Sequence, residues 1–163
     1  MSLMTQLWLC QMSGYLALFC LLSSQAMAPL ERLRRISRKT YLRWRRRLGI
    51  TAAMLASLHT LIVWRTLFGG NAVDPFRETQ WAQLGLAAWV LLLFLWLTSY
   101  SPVVRRLRIK NWSSLHRLAY AATFLALLHG LLAPWSNIYI QLGLLIFFLL
   151  SVALRGLRSK AIL

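Results

Sequence analysis

Five apolar runs, each near the length of a bilayer, decide what this chain can fold into. They cover residues 7–28, 48–68, 81–100, 115–133 and 138–154. A membrane helix needs about 20 consecutive apolar residues, because about 30 Å of hydrocarbon is crossed at about 1.5 Å per residue. Inside lipid the backbone can bond only to itself, which leaves helices and closed barrels. Here the apolar residues run continuously and do not alternate, and that selects helices. The expectation is an all-α membrane protein, a bundle of five transmembrane helices. It forms one domain over residues 1–163, since no polar segment is long enough to fold separately.

Charge fixes the predicted orientation. Only 13% of the residues are charged and just three are acidic, Glu31, Asp74 and Glu78, against about a quarter charged in soluble domains. The net charge of +16 suggests nucleic-acid binding at first sight. The basic residues, however, sit in short loops between apolar runs, where the positive-inside rule puts them. Nine lie between Pro29 and Arg47, and Arg105, Arg106, Arg108 and Lys110 follow the third run. With Arg117 and the tail residues Arg155, Arg158 and Lys160, 17 of the 19 fall on one side, leaving Arg65 and Arg77 on the other. This distribution predicts an outside N-terminus, a cytoplasmic C-terminus and no nucleic-acid partner. It also makes anionic lipid head groups natural contacts.

The first run has a second reading. Ala26-Met27-Ala28 looks like a signal-peptidase site, but the residues before the run contain no Lys or Arg, which a signal peptide's first region normally supplies. A retained first helix is therefore expected. Both cysteines, Cys10 and Cys20, fall within it without a CxxC or CxxCH pattern, so they are expected to pack or face lipid. Trp8, Trp64, Trp81, Trp112 and Trp135 fall near run ends, where amphipathic rings anchor at head-group level. Trp89 and Trp96 lie deeper and are read as packing.

All three histidines, His59, His116 and His129, fall inside the apolar runs. An imidazole in lipid must find partners, and such residues usually carry function. One alone is best read as bonding a neighbouring helix. Three of three point instead to axial nitrogen ligands for haem b, which bundle cores hold between facing helices. The stretch Trp112–Gly130, WSSLHRLAYAATFLALLHG, carries His116 and His129 about 20 Å apart if it is one helix. His59 lies about 16 Å above Leu48 and His129 about 21 Å above Leu115, so the two are placed to clamp one haem in the outer half. His116 has no histidine at its level. Arg45, fourteen residues before His59, returns to nearly the same helix face, about 40° off. It stands where a fourth histidine would complete an inner site. Arginine is a poor metal ligand but suits a haem propionate, so a second haem at His116 is short of one ligand. On an ideal helix His116 and His129 are about 140° apart, which would put two cofactors on different sides of it. Gly49, Gly130, Ala52 and Ala53 are small enough for close approach of a macrocycle or of another helix.

At these residues the chain resembles the ferric-reductase-like transmembrane family. Within it, the likeness is to the small bacterial branch of haem-binding membrane subunits of periplasmic methionine-sulfoxide reductase systems. The carriers are Arg46-Arg47-Leu48-Gly49-Ile50, His59 in LASLH, LHRLAY at Leu115–Tyr120, LALLH ending at His129, and PLERLRR at Pro29–Arg35. The likeness spans roughly residues 14–155. It implies electron transfer through haem b across the bacterial inner membrane. Electrons come from a cytoplasmic flavin reductase or quinone and go to a periplasmic redox partner or a larger membrane complex. His59 and His129 match the family's paired ligands, and His116 its lone inner histidine. FMN or FAD enters only through a partner. The alternative is a structural or assembly subunit that keeps the fold without the electron path. A transporter fits less well, because the midplane has neither acidic residues nor a Pro/Gly-broken helix. No catalytic triad or phosphate loop is present, so an oxidoreductase label belongs to an assembly.

Overall fold

In the computed structural model, residues 3–33, 35–69, 79–100, 102, 112 and 114–157 are described, apart from the side chains of residues 3, 32 and 155–157. Five helices account for most of them: α1 (Leu3–Arg32), α2 (Arg38–Thr66), α3 (Gln80–Thr98), α4 (Leu118–Leu132) and α5 (Ile138–Leu157). Each packs on the next in sequence, α5 closes back on α1, and α1 also touches α4 across the ring. The expected all-α architecture is observed. α1, α2 and α3 are long and apolar enough to cross a membrane, while α4 is shorter. The chain is an integral membrane protein. Asp74, Arg77, Glu78, Arg105, Arg106, Arg108, Lys110, Arg158 and Lys160 lie outside the described residues.

The helix boundaries depart from the hydropathy pattern most at α2. The basic stretch before Leu48 is helical from Arg38 onward, so α2 begins ten residues before its apolar run. Ser37 starts it, with its hydroxyl accepting from the Thr40 N–H at 3.2 Å, and this satisfies one of the orphan donors of a first turn. Hydropathy does not reveal this turn, because arginine and lysine are good helix formers but not apolar. Pro29 lies inside α1, one turn from its end, where its missing N–H disturbs only the last turn.

Two apolar clusters hold the ring together. Leu21, Ala52, Ala53, Leu92 and Ala122 join α1, α2, α3 and α4; Leu18, Leu22, Leu127 and Phe148 join α1, α4 and α5. Ala52 and Ala53 thus serve helix packing. Hydroxyls inside the bundle fold back on their own helix: Ser57 donates to the Ala53 carbonyl and Thr60 to that of Ala56, both at 2.9 Å. This leaves few polar groups to be satisfied between helices. The Trp89 indole N–H donates to the Ser57 hydroxyl at 3.0 Å, so this tryptophan also bonds α3 to α2. Gln25, deeply buried on α1, donates to the Ala119 carbonyl of α4 at 3.0 Å and to the Thr123 hydroxyl. Gln25→Ala is expected to lower stability by about 2 kcal/mol, through a lost interhelical bond and a new cavity. A thermal melt in detergent reads the effect, and an unchanged midpoint would refute this assignment.

Candidate functional site

The C-terminal halves of α2 and α4 bring His59 and His129 together edge to face, with ring centroids 6.1 Å apart and planes at 75°. Both rings are fixed by backbone carbonyls of other helices. His59 Nδ1 lies 2.9 Å from the Cys10 carbonyl of α1, and His129 Nδ1 lies 2.7 Å from the Trp81 carbonyl of α3. A carbonyl only accepts, so each Nδ1 carries the proton and each Nε2 keeps its lone pair. An imidazole held this way is prepared for a metal, since ligating histidines almost always donate their other N–H to an outer partner. Ser13 supports the same carbonyl: its hydroxyl donates to Cys10 O at 2.9 Å and lies 3.3 Å from His59 Nδ1.

Glycines let the rings in. A Cβ on Gly14 would lie 3.1 Å from the His59 ring, and one on Gly85 only 2.8 Å from His129 Nδ1. Trp81 adds its ring 5.8 Å from His129, and Phe68 and Trp135 pack on Trp81. The two imidazoles line a cavity of about 160 Å³ whose other walls include Ala17, Leu21, Ala56 and Leu92. Tyr15 also lines it and accepts the Asn137 N–H at 2.8 Å in the turn between α4 and α5.

The pair fits one iron between two rings. Two metal–imidazole bonds of about 2 Å each, plus about 1 Å from each nitrogen to its ring centre, come to the observed 6.1 Å. Among the described residues no set of three His, Cys, Asp or Glu side chains could hold a bare ion. A porphyrin needs only axial ligands from protein, and imidazole nitrogens can serve as such ligands.

His116 stands apart from this pair. It sits in the turn before α4 and not on that helix, so the rise and angle expected for one continuous helix with His129 do not apply. Trp112 stacks on it with centroids 4.1 Å apart, and its Nε2 is 3.5 Å from the Ser99 hydroxyl. Arg45 reaches this turn from α2: its guanidinium donates to the His116 carbonyl at 3.4 Å and to the Tyr41 hydroxyl. Arg45 is 8% exposed and Trp112 6%, so Trp112 is a buried ring here and not the expected interfacial anchor. Among the described residues its indole N–H has no partner. Arg45, Trp112, Ser99 and His116 line a second, smaller cavity, and Leu21 and Leu92 border both cavities. Of the small residues singled out in the sequence, Gly49 borders the second cavity and a Cβ there would meet nothing within 4 Å, while Gly130 lies against Gln141. The glycines that touch imidazoles are Gly14 and Gly85, which carry only the general signal of glycine inside an apolar helix.

Fold and site together define a helical membrane protein with a facing, backbone-oriented imidazole pair. The chain belongs to the family of the ferric reductase like transmembrane component, whose model matches residues 11–127. That match includes His59 and His116 and ends two residues before His129. Among curated relatives is the protein-methionine-sulfoxide reductase heme-binding subunit MsrQ of Xanthomonas campestris pv. campestris (strain 8004). It is 36% identical over 120 residues, covering 72% of this chain and 54% of the relative. The protein of the same name from Bordetella pertussis is 38% identical over 125 residues, covering 75% and 59%. The chain thus spans somewhat over half the length of these relatives. No solved structure matches it.

Proposed function

We propose that this chain is a membrane haem b subunit. It carries electrons across a bacterial inner membrane, from a cytoplasmic flavin reductase or the quinone pool to a periplasmic acceptor. The observation that supports this most is the His59–His129 pair, spaced at 6.1 Å with both Nδ1 atoms tied to carbonyls. The printed name of the relatives, a heme-binding subunit of a methionine-sulfoxide reductase, supports the same cofactor and an outer redox partner. The topology in this reading has five crossings, with the N-terminus outside and the C-terminus cytoplasmic, as the basic residues require.

Haem supplies the one-electron chemistry that side chains lack. His59 and His129 would hold it through their Nε2 atoms. The Cys10 and Trp81 carbonyls hold ring orientation and raise ligand basicity, while Leu21 and Leu92 exclude water between the two cavities. At the inner cavity His116 offers one nitrogen. Arg45 and the unpartnered Trp112 N–H offer donors to a carboxylate, a role suited to a propionate. One haem at the outer pair follows, and a second at His116 lacks a histidine partner. Flavin belongs to a separate reductase.

The test is a dithionite-reduced minus oxidised visible spectrum of detergent-purified protein, with a pyridine haemochrome assay for stoichiometry. A b-type signal at one haem per chain supports the outer pair alone, and two per chain adds His116. A flat spectrum from folded protein would overturn the proposal in favour of a structural subunit.

A further inference from the structure

The outward face of α2 carries two kinds of side chain in one line. At about 100° per residue, Arg43, Arg47, Met54, Leu58, Leu61 and Arg65 all point within roughly 40° of one direction. All six are exposed, whereas Arg45, Ala52, Ala53 and Val63 on the opposite face are buried. Arg47 and Arg65 are about 27 Å apart along the axis, close to the thickness of a hydrocarbon core of about 30 Å. The line therefore reads as guanidinium, apolar stripe, guanidinium, matched to a bilayer. Above Arg47 the cations continue at one-turn intervals with Arg43 and then Lys39, both exposed. Trp44, 47% exposed, sits beside them, at the depth where indoles settle.

Like charges four residues apart on a helix repel, and this chain has little to offset them. Of its three acidic residues, Glu31 bridges Arg38 at 3.8 Å, and Asp74 and Glu78 follow the far end of α2. Among the described residues no carboxylate pairs with Lys39, Arg43 or Arg47, so a countercharge from outside the chain would be stabilising there. A lipid whose acyl chain covers Met54 and Leu58 carries its phosphate about two turns toward the N-terminal end of α2, at Arg47 and Arg43. An acidic protein surface would satisfy the cations but would not account for the apolar stripe continuing beneath them. We propose that this face of α2 is a binding site for an anionic phospholipid, its phosphodiester held by Arg43 and Arg47 and an acyl chain laid along Met54, Leu58 and Leu61. Guanidinium forks suit phosphate oxygens in geometry as well as charge.

The test compares the full chain with R43Q/R47Q in nanodiscs of equal phosphatidylglycerol and phosphatidylcholine. Retained lipids are counted by native mass spectrometry after release into mild detergent. Both positions face outward, so the thermal midpoint should not change. The wild-type chain is expected to retain phosphatidylglycerol in roughly ten-fold excess, from two basic residues acting on one anionic head group. R43Q/R47Q should bring that ratio near parity, and R43K/R47K should keep most of it. Parity in the wild type would overturn the proposal and hand the cations to an acidic protein partner. An undiminished excess in R43Q/R47Q would overturn it by placing the selectivity on other basic residues.

Discussion

His129→Ala and His59→Ala are each expected to abolish the reduced-minus-oxidised band of the outer pair, with haem content at that site falling to near zero. The effect is large because in the proposed site these two imidazoles are the axial ligands and neither has a spare: among the described residues no third metal-ligating side chain joins them. Loss of fold is not the expected cause. Each imidazole makes one interhelical bond to a carbonyl, and such bonds in membranes average about 0.6 kcal/mol. Helical circular dichroism should therefore persist in both variants. Imidazole added to His129→Ala should restore part of the band, because it enters the space the side chain vacates. Full haem content in either variant would dismiss the pair as ligands.

The second large effect is expected at a residue with no side chain. A Cβ on Gly85 would lie 2.8 Å from His129 Nδ1, closer than real contacts allow. The atom in the way belongs to a ring tied to the Trp81 carbonyl at 2.7 Å. Gly85→Ala must therefore turn the imidazole and break that bond, and Gly85→Val must expel the ring. We expect Gly85→Ala to lower haem affinity roughly ten- to hundred-fold, the loss typical when an outer partner of a metal ligand is removed. Gly85→Val should abolish occupancy. Gly14→Ala, with 3.1 Å to the His59 ring, should cost less. Gly143→Ala, with open space around it, should leave the spectrum unchanged and gain helix propensity of up to about 1 kcal/mol. Equal spectra across the series would remove any positioning role from Gly85.

Several of these features could be read from residues alone. Five helices follow from hydropathy, because in lipid each segment must satisfy its own backbone, a local requirement. The position of His59 along α2 follows from counting residues, whereas a count from Leu115 to His129 crosses the turn at His116. The fourteen-residue spacing of Arg45 and His59 puts Arg45 on the core side of α2, where it is buried. Other features were hidden. The helical start of α2 at Arg38 lies under charged residues that hydropathy counts as loop. The turn holding His116 interrupts a stretch that reads as one helix. Trp112 reads as an interfacial ring, yet it stacks on His116.

By itself, then, the sequence determined that this chain is a membrane helix bundle with most of its basic residues gathered between the apolar runs and every imidazole inside a run. Those properties are sums over consecutive residues. Only the tertiary structure decided which imidazoles meet, that their Nδ1 atoms face carbonyls of α1 and α3, and that Gly14 and Gly85 make room for them. Cys10 and Trp81 contribute there through backbone oxygens, which every residue has, so no side-chain pattern could mark them. The contacts depend on the order in which five helices close into a ring, and that order is set by packing between segments far apart in the chain.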